Sequence, residues 1–157
     1  MIKGIRTPCV GICSTGIGDS VCRGCKRFAH EVIDWNAYSH TQRAIIAQRL
    51  ESFLTQVVQT KIAVIDKNRL LSEIRYQQIR FNPEHNPYSW VFDLLRAGAG
   101  QIKDLSIFGL NLLPAWENTS LVSVKEAIDW DLYTLSCAHY ERYIAPGERM
   151  LLTQEAD

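Results

Sequence analysis

The chain has 157 residues, 46% of them apolar, which suits one domain or two small ones with an ordinary core. No run of about 18 apolar residues occurs, which excludes a membrane-spanning helix, and the opening Met1-Ile2-Lys3-Gly4-Ile5-Arg6 lacks the apolar stretch of a secretory signal. Net charge is zero but uneven: residues 1–80 hold 12 Lys+Arg against 6 Asp+Glu, and residues 81–157 hold 5 against 11.

Residues 7–27 are rich in Cys, Gly, Ser and Thr and are too polar for a helix; Gly11, Gly16, Gly18 and Gly24 allow tight turns. Without a cross-link this stretch would hardly order itself. A short helix is expected from about Phe28 to Trp35. Ser39 followed by Gln42 reads as a capping box. It opens a helix with Ile45, Ile46, Leu50, Phe53, Leu54, Val57 and Val58 at helical spacing. Residues 62–65 either continue this helix or form a short strand. Asp66 is an N-cap for a helix carrying Leu70, Leu71 and Ile74.

Two prolines in residues 81–87 mark a loop and a module boundary, and Asn86-Pro87 reads as an N-cap with proline at the first helical position. Trp90, Val91, Leu94 and Leu95 form the next apolar stripe. Residues 104–116 read as a buried irregular segment with room for a short strand. Ser123 and Glu126 predict a capping box for a last helix over about Leu121–Ile144, with Val124, Ile128, Leu132, Leu135 and His139 on one face. Pro146-Gly147 is expected to stop it and leave the last ten residues frayed.

The chemistry concentrates in Cys9-x3-Cys13-x8-Cys22-x2-Cys25. Turns of two or three residues bring paired sulfurs to one side, and four thiolates this close fit tetrahedral zinc. They fit an iron–sulfur cluster equally well. A Cys22/Cys25 redox disulfide is the other reading, but no thioredoxin-like βαβ pattern surrounds the pair. Four protein ligands leave no open position for water, so a zinc here would be structural. Arg23, Lys26 and Arg27 stand beside the ligands, where cations would offset thiolate charge or contact a phosphate or other anion.

Residues 7–50 resemble a small bacterial family, domain-of-unknown-function family 1289, whose members are described as predicted iron–sulfur proteins. Its pattern is Pro-Cys-x3-Cys, then Cys-x-Gly-Cys-x-Arg, Glu-x3-Trp and a helix opening with Ser. The matching residues are Pro8-Cys9, Cys13, Cys22-Arg23-Gly24-Cys25, Arg27, Glu31, Trp35 and Ser39. Residues 66–145 are similar to the C-terminal extension of longer members. The resemblance implies an iron–sulfur cluster on the four cysteines and names no reaction.

Outside the cluster the signals are plain. Cys137 is a lone helical cysteine, expected to act as a small apolar residue. His30, His40 and His85 lack the spacing of a ligand pair. The aromatic residues Trp90, Trp116, Trp130, Tyr133, Tyr140 and Tyr143 read as core. No Ser-His-Asp set, phosphate loop or paired-carboxylate motif is present, so no catalytic residues are assigned. The expectation is a mainly α protein with one or two short strands: a four-cysteine metal-binding module over 1–50, connecting helices over 51–82 and a helical module over 83–157. The expected function is non-enzymatic metal binding, iron–sulfur or zinc, in a cytoplasmic accessory protein that meets a protein partner. The alternatives are a redox-sensing or electron-transfer protein, and a nucleic-acid binder using the basic half.

Overall fold

The structure is a computed structural model that describes residues 5–11 and 13–155. Residues 1–4, part of the stretch read for a secretory signal, lie outside the described residues, as do Ile12 and residues 156–157. In chain order the α-helices are α1 (Ala29–Asp34), α2 (His40–Gln59), α3 (Lys67–Tyr76), α4 (Pro87–Gly98), α5 (Leu121–His139) and α6 (Ala145–Glu155). Two strands, β1 (Ile62–Val64) and β2 (Leu110–Leu112), pair antiparallel with Ala63 opposite Asn111. The mainly α expectation holds, and the segment left open at 62–65 contributes a strand. Two compact units form: residues 1–50 with 132–157, and residues 51–131.

In the first unit, the Cys-rich stretch carries a 3₁₀ turn at Ser14–Ile17 and then a tight hairpin. Val21 bridges Phe28, and backbone bonds run from Cys22 N to Arg27 O (2.9 Å), Lys26 N to Cys22 O (2.8 Å) and Ala29 N to Ser20 O (2.8 Å). Val21 and Phe28 are buried with Tyr140 and Ala145, and Tyr133, Cys137 and Ile144 pack around them. Glu31, buried in α1, accepts the Phe28 N–H (2.9 Å) and takes both arms of Arg49 from α2 at 2.7 and 2.6 Å. The Ser39–Gln42 box forms as expected, each side chain accepting the other's backbone N–H. Ile45, expected on the apolar stripe of α2, is exposed; Ile46 is the buried member of that turn.

The end of the chain differs from the sequence reading. Pro146-Gly147 does not stop the helix. The backbone winds into a π-helical turn over Tyr140–Ile144 and continues as α6 to Glu155. Pro146 falls in the first turn of α6, where an absent N–H costs least. The π turn also places Tyr140 against Phe28, with ring centroids 5.4 Å apart, while its hydroxyl bonds Glu148.

The second unit packs Val58, Ile62, Leu70, Ile74, Val91, Leu94, Leu95, Leu110, Val124 and Ile128 into a core. Asp66 caps α3 by accepting from Arg69 N (3.1 Å), and Asn86 caps α4 with Pro87 at its start, both as expected. The α5 cap differs: Ser120 accepts from Ser123 N (3.2 Å), so Ser123 is the served residue rather than the cap. The helix starts one turn earlier than a Ser123 cap would place it. Gly109, at φ +68°, carries the carbonyl that receives both Ile65 N (2.8 Å) and Asp66 N (3.0 Å). A Cβ there would stand 2.6 Å from the Asp66 carbonyl oxygen, so only glycine fits. Lys61, almost fully buried, pairs with Asp131 at 2.5 Å and lies 4.7 Å from the Trp116 ring centroid.

Candidate metal centre

The hairpin that Val21 and Phe28 close has Cys22-Arg23-Gly24-Cys25 at its tip. Its tightness comes from Lys26, which adopts the left-handed conformation at φ +65°. For a lysine that conformation costs about 1 kcal/mol or more, and such strain gathers where a site demands it. The turn aims backbone N–H groups at sulfur. Burial pushes the Cys22 thiol up, but the N–H groups of Cys25, Ser14 and Gly24, with the Cys25 side chain, outweigh it and bring it down to about 7. Cys25, partly buried, is raised by that burial, against the opposing pull of Arg27.

Cys22 and Cys25 are therefore brought together, sulfur against sulfur. Ser14, next to Cys13, is tied to the same place: its N–H serves Cys22 and its hydroxyl accepts from Arg23 N (2.8 Å). The Cys13 sulfur itself lies 3.0 Å from the Thr15 hydroxyl, and the Cys9 sulfur accepts from Gly11 N at 3.4 Å; both cysteines are exposed. Among the described residues no group of three or more Cys, His, Asp or Glu side chains is gathered around one point, and no disulfide forms. Two of the four expected ligands are placed together, and two stand apart from them.

The three cations have different fates. Arg23 stays largely in water, bonded to Asp19 at 3.1 Å and lying 5.8 Å from the Tyr133 ring centroid. Lys26 is buried and its Nζ donates to Gly24 O (3.0 Å). Arg27 is buried and its Nε donates to the Cys25 sulfur (3.2 Å). Sequence reading grouped these three; burial separates them. Arg27 is held over the Trp35 ring (4.9 Å), and Arg43, which the sequence did not single out, is a second cation over the same ring (5.6 Å). Basic residues flanking a tryptophan at positions 27 and 43 were the available signal. Cys137 packs beside the Val21–Phe28 core, within hydrogen-bond reach of Tyr133.

The donor chemistry suits a thiophilic metal: two adjacent sulfurs, N–H groups trained on them, and positive charge buried alongside. Residues 7–53 match the family model described as Protein of unknown function (DUF1289). No curated protein matches the chain, and no solved structure does. No helix among the described residues is long and apolar enough to cross a membrane.

Proposed function

We propose that this is a non-enzymatic metal-binding protein whose Cys9, Cys13, Cys22 and Cys25 together hold one centre, an iron–sulfur cluster, and that it serves as an accessory protein to a protein partner in the cytoplasm. The observation that carries the reading is the Cys22–Cys25 turn. Backbone N–H groups of Ser14, Gly24 and Cys25 point at the Cys22 sulfur, and Arg27 points at the Cys25 sulfur. Donors aimed at sulfur favour a thiolate, the form that ligates metal. Cys9 and Cys13 lie on the adjoining segment, and Ser14 anchors that segment to the turn. When bound, a cluster would supply one-electron chemistry or oxidant sensitivity. Zinc on the same thiolates would supply stability alone.

The nucleic-acid reading draws less support. Much of the positive charge in the basic half is used within the fold: Lys26 and Arg27 are buried, Arg49 holds Glu31 and Lys61 holds Asp131. Affinity for nucleic acid that falls steeply with salt would revive it.

The deciding experiment is iron, sulfide and zinc analysis with a visible spectrum on protein purified anaerobically. Stoichiometric iron and sulfide with brown absorbance is the expected result. One zinc and no visible absorbance would replace the cluster with a structural ion. No bound metal would end the reading.

A further inference from the structure

Arg27 stands out among the charged residues of the first unit. It is 4% exposed, yet among the described residues its side chain's hydrogen-bond acceptor is the sulfur of Cys25, at 3.2 Å. Burying a guanidinium costs several kcal/mol unless an anion balances it. A partly buried ion pair in this unit follows that rule, with Glu31 gripping Arg49 by both oxygens. Arg27 has a cysteine where Arg49 has a carboxylate. It is also held in place from behind. Its guanidinium lies 4.9 Å from the Trp35 ring centroid, Trp35 is itself buried, and Arg43 fixes that segment by donating from Nε to Trp35 O (2.9 Å) and from an arm nitrogen to Asn36 O (3.2 Å). The Arg27 carbonyl closes the hairpin by accepting Cys22 N (2.9 Å). One residue thus touches both members of the Cys22/Cys25 pair, one through backbone and the other through side chain.

Charge accounting gives this arrangement a purpose. Four thiolates around a centre of charge +2 leave two net negative charges, and the share of that charge on the buried side, at Cys22 and Cys25, needs a cation beside it. Lys26, 3% exposed, and Arg27 bring two buried positive charges to the hairpin tip. Resting on the four-thiolate reading above, we infer that Arg27 is the positioning and charge-balancing residue of the centre: held over Trp35, it gives Cys25 an N–H···S bond and supplies the buried cation against which the thiolate-rich site is stable. Arg23, bonded to Asp19 and mostly in water, has no such role.

The test uses the full chain with cobalt(II) as the probe, because its sulfur-to-metal charge-transfer band reports thiolate coordination. Affinity comes from competition with a chelator, and the band position is read in the same titration. Arg27→Gln is expected to lose about tenfold or more in cobalt affinity and to shift the band, in line with the usual effect of removing a ligand's hydrogen-bond partner. Arg27→Lys restores the charge without the same N–H geometry, so it is expected to recover part of the affinity but not the band position. Arg23→Gln serves as the control and should match the unaltered chain. Unaltered affinity and band in Arg27→Gln would overturn the inference while leaving the centre standing. If that variant does not fold by circular dichroism, Arg27→Lys decides: equality with the unaltered chain in both readouts overturns the inference. If the unaltered chain shows no thiolate-to-cobalt band, the four-thiolate reading itself fails.

Discussion

Single residues in this chain are shaped by what burial does to charge. Asp93 in α4 is mostly buried, and that burial raises its carboxyl to about 6, against smaller opposing effects of Arg96 and His85. The folded state therefore holds the proton more tightly than the unfolded state. Stability attributable to this group is greatest below the unfolded value near 3.8 and declines as pH rises to about 6, after which the penalty is constant. Asp93→Asn removes that penalty. It should stabilise the protein at pH 7 by about 1 kcal/mol, a figure discounted for the group's partial solvent access. The gain should vanish near pH 4, as checked by denaturant unfolding at both pH values. Glu31 shows the opposite case, a buried carboxylate fully matched by Arg49 and by the Phe28 N–H. Glu31→Ala should cost about 3 kcal/mol in the same assay, because it leaves Arg49 without its anion. Neither pairing was legible in the sequence. Glu31 and Arg49 are 18 positions apart, and no local pattern says which of 17 basic residues a carboxylate will meet. Nor does local sequence show that Lys26 and Arg27 are buried while the neighbouring Arg23 is not.

At the scale of elements, local signals carried well and distant ones did not. The caps at Ser39, Asp66 and Asn86 were readable because cap, partner and spacing lie within four residues of each other. The α5 cap was misplaced because Ser120 and Ser123 both satisfy the residue preference, and only the direction of the Ser123 N–H separates them. The helix end was misjudged because a π turn places Pro146 in a first turn, an arrangement that Pro-Gly does not announce. Gly109 joins β2 to the corner at Asp66, and Gly109→Ala forces both a left-handed alanine and a clash with the Asp66 carbonyl. That substitution should lower stability by about 2 kcal/mol or more, measured by thermal or denaturant unfolding. The Cys-rich stretch should itself divide on metal removal. The hairpin from Val21 to Phe28 is anchored by apolar packing on Tyr140 and Ala145, whereas Thr7–Cys9 has short local bonds. Hydrogen exchange after chelation should show amides around Cys9 and Cys13 losing protection while Cys22 and Lys26 amides keep it. Uniform loss across residues 7–27 would mean that the metal alone orders the hairpin.

For the whole molecule, the mainly α class followed from the periodicity of apolar residues, while the four-cysteine spacing singled out residues 9–25 as the segment to test. The sequence did not show that residues 132–155 would build one compact unit with residues 5–50, because that union rests on Phe28 meeting Tyr140 across more than a hundred positions. All four cysteines are proposed to serve one centre, although the structure brings together only Cys22 and Cys25. Metal stoichiometry of the anaerobically purified chain, compared with the single variants Cys9→Ser, Cys13→Ser, Cys22→Ser and Cys25→Ser, tests it most directly. One centre per chain is expected in the unaltered protein, with its loss or severe weakening in each of the four variants. Full metal content in Cys9→Ser and Cys13→Ser, or none in the unaltered chain, would contradict it.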